Sequence, residues 1–260
     1  MVEGIRFIEK AIGSSVVEPT GKELEMRKIA RRSITARGGS KRIPKKNIKN
    51  FCGKPILAYS IEAAINSGVF SEVMVSTDNK EIAEIAQYYG ASVPFMRSAT
   101  TSNDYSTTED VLIEVLNCYK ARGQQYELIC CILPTAPFVT AGKLKSAVAI
   151  LEDQSDIDSV IPVVRFSFPP QRGLIVNNGY LVYQYAEYAV MRSQDLRPIY
   201  HDCGQFYVCR ETALRKYHDL ITPKSTPFIL SEEEVQDIDD HSDWRMAELK
   251  YKTLNATKED

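Results

Sequence analysis

Between residues 53 and 165 the chain alternates short β-rich runs with helical stripes, and this alternation restricts it to few folds. Leu57, Ile61 and Ile65 stand four apart, which predicts an amphipathic helix ending near Gly68. Residues 73–77 read as a strand. Ile82, Ile85, Ala86 and Tyr89 mark a second helix with Gly90 as its stop. Val111, Leu112, Val115, Leu116 and Tyr119 mark a third. The near-continuous apolar run 128–133 predicts a strand buried on both faces. Thr140 is placed to cap a helix carrying Leu144, Val148 and Leu151, and residues 159–164 form another strand. Such alternation predicts a parallel sheet with helices on both faces. Ligands of such sheets sit beyond the carboxyl ends of the strands. Ser76-Thr-Asp78 and Pro134-Thr-Ala-Pro137 are therefore expected to line one crevice.

The pattern lapses from 166 to 200, a stretch rich in aromatics, Pro and Arg. It reads as an irregular insertion reaching over the crevice or to a partner subunit. Strands resume at 205–209 and 228–230, and Trp244, Ala247 and Tyr251 suit a closing helix with Trp244 in the core.

Composition excludes several classes. No apolar stretch approaches the roughly 18 residues of a membrane span. The N-terminus carries Glu3, Arg6, Glu9 and Lys10 and is no secretion signal, so a cytoplasmic protein is expected, without membrane contact. The six cysteines form no Cys-x-x-Cys pair, and His201, His218 and His241 have no metal-ligand spacing. Cys130 and Cys131 lie in an apolar run and read as small buried hydrophobes. The net charge of −2 is uneven: residues 26–61 hold eleven cations and none of the 34 acidic residues. A chain acidic elsewhere is not a nucleic-acid binder, whereas a local basic patch suits one compact polyanion such as a triphosphate.

The patch centres on Ala36-Arg-Gly-Gly-Ser-Lys-Arg42. Gly38 and Gly39 let the backbone bend close to a ligand, and Arg37, Lys41 and Arg42 supply charge there. No Gly-Lys-Ser/Thr follows as in ATPase loops, and read alone the segment is equally a basic turn without ligand. The loop continues through Lys46-Asn47-Ile48, Gly53-Lys-Pro-Ile-Leu57, Val75-Ser-Thr-Asp78 and Ile82-Ala-Glu-Ile-Ala86. In combination these segments resemble the nucleotidyltransferases that make CMP-activated acidic sugars. The resemblance covers about residues 36 to 250. It implies a Rossmann-like α/β fold with a mostly parallel sheet, CTP as nucleotide, Mg²⁺, and a homodimer. The domain is expected over 29–252, between an N-terminal extension at 1–28 and a tail at 253–260.

The implied reaction is attack of a sugar's anomeric hydroxyl on the α-phosphate of CTP, with loss of pyrophosphate. By resemblance, Arg37, Ser40 and Lys41 hold phosphates, with Lys46 and Asn47 beside them, and Ala36 offers backbone to the cytosine edge. Arg97 matches a position near base or ribose; otherwise it is a solvated loop arginine. Thr135 completes the nucleotide set, and Arg37, Lys41, Lys46 and Asp239 are the candidate catalytic residues. Asp237 and Asp239, two apart on an extended segment, project to one side and suit a hard cation such as Mg²⁺. Asp78 is an alternative or additional ligand. Glu232, Glu233, Glu234 and Asp240 leave open a plain acidic loop.

Phe166-Ser-Phe-Pro-Pro-Gln-Arg172, Arg192-Ser-Gln-Asp-Leu196, His201-Asp-Cys-Gly-Gln-Phe-Tyr207 and Val235-Gln-Asp-Ile-Asp239 are similar to the branch of this family that activates pseudaminic acid, a nine-carbon acidic sugar. N-acetylneuraminic and legionaminic acids are the alternatives, as is a catalytically impaired binding remnant. Arg172, Arg192 and Arg197 are candidates for the sugar carboxylate, and Gln194, Tyr200, His201 and Gln205 for its hydroxyl and amide groups. The first strand is unusual: Ile29-Ala-Arg-Arg-Ser-Ile-Thr35 replaces the family's apolar run, and two arginines in a central strand are costly unless paired or at an exposed end. Residues 1–35 are weakly similar to a stretch of sialic-acid-type synthases, consistent with a fusion junction near Thr35; the alternative is a family-specific extension with its own helix.

Overall fold

Burial of β-rich runs between helical faces generates the architecture. The computed structural model describes residues 42–256 and the backbone of residues 31–35; the N-terminal extension lies outside them. The first half comprises β1 (Arg31–Thr35), β2 (Asn50–Phe51), β3 (Lys54–Pro55), α1 (Ile56–Ser67), β4 (Val73–Ser76), α2 (Lys80–Tyr88), α3 (Thr108–Lys120), β5 (Leu128–Ile132), α4 (Ala141–Asp153) and β6 (Ser159–Arg165). The second adds β7 (Leu174–Asn177), β8 (Tyr180–Tyr183), β9 (Tyr200–Asp202), β10 (Phe206–Arg210), α5 (Glu211–Tyr217), β11 (Ser225–Ile229) and α6 (His241–Ala256).

The main sheet has seven strands in the order β11-β6-β10-β5-β1-β4, with β9 paired to β6 off that path. The α/β fold is as expected. β1 runs parallel to both β4 and β5, with Arg31 in register with Ile129 and Arg32 with Val73 and Cys130. The two arginines thus occupy the amino end of the strand, opposite the end where ligands bind. β10 is antiparallel to β5 and β6, and β9 to β6. The insertion leaves β6 at its carboxyl end and returns there, so the chain re-enters the sheet in the reverse direction.

All five residues of β5 are buried, as its apolar run predicts. Leu128, Cys130 and Ile132 join the core under α1, α2 and α4, while Ile129 and Cys131 join the opposite core with Leu112, Leu116 and Leu214. The expected helices form with their expected ends. Gly68 closes α1 at φ 64°, Asn79 Oδ1 caps α2, and Thr140 Oγ1 accepts from Lys143 N at 3.3 Å to cap α4. One stripe is shorter than its spacing implies. Leu57 and Ile61 are fully buried but Ile65 is 42% exposed. Its Cδ1 lies 3.1 Å from where a Cβ on Gly90 would stand, so Gly90, at φ 90°, makes room for the end of α1.

The insertion is more regular than expected. β7 and β8 pair as a hairpin across Asn178 and Gly179, both at positive φ, a turn favoured by Asn-Gly. Every strand residue of this hairpin is exposed. Elsewhere Phe51 packs edge-to-face against Tyr59, Trp244 and Tyr251, at 5.6, 5.5 and 5.5 Å. This cluster fastens α6 to α1 and confirms Trp244 as a core residue.

Candidate active site

Loops at the carboxyl ends of β1, β4 and β5 enclose a cavity of about 720 Å³. The loop from Ala36 to Lys41, carrying Arg37, Gly38, Gly39, Ser40 and Lys41, lies outside the described residues. Its exit is visible: Arg42, Lys46 and Asn47 form one wall. Leu133, Pro134 and Thr135 form the floor after β5, and Arg97, Thr101 and residues 103–108 form the facing wall. Ala136 and Pro137 do not line it.

Arg97 is not a solvated loop residue. It is 8% exposed, donates from Nη2 to Ser76 O at 2.6 Å and from Nε to Ser76 Oγ at 3.1 Å, and its own N–H bonds to Thr77 O. The end of β4 therefore contributes indirectly: Ser76 aims an arginine into the cavity. Asp78, two residues after Ser76, is exposed and lines no part of the cavity.

The facing wall was not anticipated from sequence. Thr101, Asn103, Asp104, Tyr105, Ser106, Thr107 and Thr108 all line the cavity. Asn103 Oδ1 accepts from the N–H groups of Tyr105 and Ser106, at 2.8 and 3.0 Å. Thr107 and Asp110 form a capping box that starts α3. The cluster of Ser, Thr, Asn and Asp after Arg97, and Thr107-x-x-Asp110, are the signals that mark this loop.

Asp237 and Asp239 come together as expected on the extended segment after β11. Arg42 Nη2 donates to Asp239 Oδ1 at 2.8 Å, and Lys46 Nζ to Ile238 O at 2.7 Å. Burial, then the charge of Asp239, push the Asp237 carboxyl above its ordinary range, against the opposing pull of the Ile238 N–H and Lys46. Gly204, at φ 60°, brings its backbone beside Asp237: a Cβ there would lie 3.7 Å from Oδ1. The neighbouring acidic residues have other partners. Asp240 Oδ1 caps α6 by accepting from Ser242 N and Asp243 N, and Asp243 Oδ2 accepts from the N–H groups of Asp239 and Asp240. Glu234 pairs with Lys143. The segment is thus divided between carboxylates that build it and two that face the crevice. No group of three His, Cys, Asp or Glu among the described residues makes a metal cage.

Asp239 also lines a second groove of about 430 Å³, with Asp237, Asp243, Lys250, Phe166 and His201. The two spaces meet at this carboxylate. The His201 ring packs on Phe166, centroids 4.6 Å apart, and its Nδ1 contacts Asp202 O. The other sugar candidates line neither space. Arg172 Nη1 donates to Ser193 Oγ, Arg197 O accepts from Gln171 Nε2, and Gln194 and Tyr200 are exposed. Gln205 is buried and donates from Nε2 to Glu234 O at 2.7 Å.

A family model for cytidylyltransferase matches residues 34–225. The pseudaminic acid cytidylyltransferase of Campylobacter jejuni is 40% identical over 221 residues, 84% of this chain and 94% of that protein. The CMP-N,N'-diacetyllegionaminic acid synthase of Legionella pneumophila is 31% identical, covering 83% of this chain and 93% of that one. In three dimensions the chain is similar to a CMP:2-keto-3-deoxy-manno-octonic acid synthetase, with TM-score 0.63, 18% identity, and coverage of 88% of this chain and 99% of that one. At that identity the likeness speaks for the fold.

Proposed function

We propose that this chain, which belongs to the cytidylyltransferase family, transfers CMP from CTP to the anomeric hydroxyl of pseudaminic acid. The observation that carries the reading is Asp239, which lines both the cavity beyond β1 and β5 and the groove beside β6. CTP is assigned to the larger space and the sugar to the groove. The reacting α-phosphorus then lies between them. The sugar hydroxyl oxygen bonds to that phosphorus and gives up its proton to solvent, the bond to the bridging oxygen breaks, and pyrophosphate leaves. Catalysis of this kind is positioning and charge stabilisation.

Arg37, Ser40 and Lys41 are assigned the phosphates, because their loop joins the carboxyl end of β1 to Arg42. Lys46 and Asn47 flank them, Thr135 and Arg97 orient the nucleoside, and Ala36 offers its backbone to the base. A forked arginine held by Ser76 keeps one direction, while a lysine follows a moving charge. His201, on Phe166, is the sugar candidate that lines the groove.

The donor set fits Mg²⁺: Asp237 and Asp239 offer hard oxygen ligands, and burial, then the neighbouring like charge, already raise the Asp237 carboxyl. They would hold the ion, which when bound supplies neutralisation of phosphate charge. Arg42 compensates Asp239 from the nucleotide side.

A homodimer is supported by the β7–β8 hairpin, which exposes Val176, Tyr180 and Leu181 by 73, 76 and 69%. A cytoplasmic setting suits six free cysteines. No helix among the described residues is long and apolar enough to cross a membrane.

The test is pyrophosphate release from CTP and Mg²⁺ with pseudaminic, N-acetylneuraminic or legionaminic acid. Release with pseudaminic acid, well above the others, is expected. Release confined to N-acetylneuraminic acid would overturn the sugar assignment, and none with any sugar would overturn the activity.

A further inference from the structure

Residues 235–240 carry Asp237 and Asp239 but pair with no strand. Several of their carbonyls, and two just before them, are held by side chains instead. Lys250 Nζ donates to Glu232 O at 3.1 Å and to Val235 O at 2.8 Å, and Gln205 Nε2 to Glu234 O. From outside both ligand spaces comes Lys143, the third residue of α4. Its side chain is 10% exposed, donates to Phe138 O at 3.1 Å, and pairs with Glu234 Oε1 at 2.9 Å. Phe138 lies in the loop that carries Thr135, three residues beyond it, so one ammonium ties the loop that floors the nucleotide cavity to the root of the acidic segment.

We infer that Lys143 is a positioning residue for the transfer reaction, setting through Glu234 where Asp237 and Asp239 stand. It touches neither ligand space, and a lysine so enclosed is costly unless its charge and donors are used. Both are used here. Burial alone would raise the Glu234 carboxyl, but the Lys143 ammonium, joined by the hydroxyl and N–H of Ser231, outweighs it and holds that carboxyl below its ordinary range. Groups that orient metal-binding carboxylates act in this way without contacting substrate. The inference rests on Asp237 and Asp239 serving the reacting phosphates.

The experiment compares K143M, K143R and E234Q in the full chain, with D239N alongside. The readouts are the Mg²⁺ dependence of CMP transfer and the hydrogen exchange of amides 234–240 without nucleotide or metal. K143M is expected to raise the half-maximal Mg²⁺ concentration by about tenfold or more, with KM for CTP within about twofold. Amides 234–240 exchange faster while those of β5 stay protected, and K143R restores most of both. Wild-type Mg²⁺ dependence and exchange in folded K143M would overturn the inference, as would a K143R variant as impaired as K143M. Should K143M not fold, E234Q, which removes the charge but keeps the shape, is read by the same criteria. Full turnover in D239N would reject the metal assignment, while the exchange of 234–240 would still decide whether Lys143 fixes the segment.

Discussion

The β7–β8 hairpin and the segment 232–240 make opposite use of the backbone. The hairpin has a complete ladder and a tight Asn-Gly turn, yet all of its strand residues are exposed among the described residues. The acidic segment has one turn of 3-10 helix at Glu232–Glu234 and no ladder, yet side chains hold its carbonyls at 232, 234, 235 and 238. Regular geometry here belongs to an exposed element, the one proposed above as a dimer contact. Precision at the site comes from Lys, Gln and Asp side chains on rigid neighbours.

The comparison is broken most severely at the site. Asp239→Asn should lower CMP transfer by more than about a hundredfold with an unchanged circular dichroism spectrum. A rate near wild type would mean that the clamped segment is structural only. Gly204→Ala forces a side chain into left-handed backbone beside Asp237. Urea titration should show a loss of about 1–2 kcal/mol, and the Mg²⁺ requirement should rise. Loss of stability without the Mg²⁺ effect would separate Gly204 from the site. Thr107→Ala removes the cap of α3 and should cost about 1 kcal/mol, with a raised KM for CTP because Thr107 lines the cavity. On the hairpin, joint replacement of Val176 and Leu181 by Lys should change stability by less than about 0.5 kcal/mol. Light scattering should report the change instead, as a shift from two copies to one. A stability loss as large as that of Gly204→Ala would mean that the hairpin packs within its own chain.

The smallest effect is in acid. The Thr107 N–H, then His218, hold the Asp110 carboxyl below its ordinary range. A depressed carboxylate contributes stability above its unfolded pKa and loses it as pH falls through the folded value. Melting temperatures should therefore drop below about pH 4, less steeply in Asp110→Asn. Identical acid limbs would remove Asp110 from that balance.

What could be read in the sequence follows the same division. Apolar spacing identified α1 to α4, β5 and Trp244, because burial leaves a period in the residues. It misjudged Ile65, since whether a final turn is covered depends on a neighbour far along the chain. Asn178-Gly179 between two β-rich runs was enough to identify the hairpin, but the aromatics and prolines around it obscured that signal. Asp237 and Asp239 were legible as a pair, whereas their separation from Asp240 and Glu234 was not. It is made by Lys143, Gln205, Lys250 and Asp243, contacts that leave no local pattern. Arg97 was legible as a candidate, but its burial depends on Ser76, 21 residues earlier.

The most direct measurement uses pseudaminic acid labelled with ¹⁸O at the anomeric hydroxyl, mixed with CTP, Mg²⁺ and the enzyme and followed by ³¹P NMR. The account predicts a new phosphodiester signal, shifted by ¹⁸O bonded to phosphorus, growing in step with free pyrophosphate. Pyrophosphate without that signal, or a phosphodiester lacking the isotope shift, would contradict attack by the sugar oxygen on the α-phosphorus at Asp239.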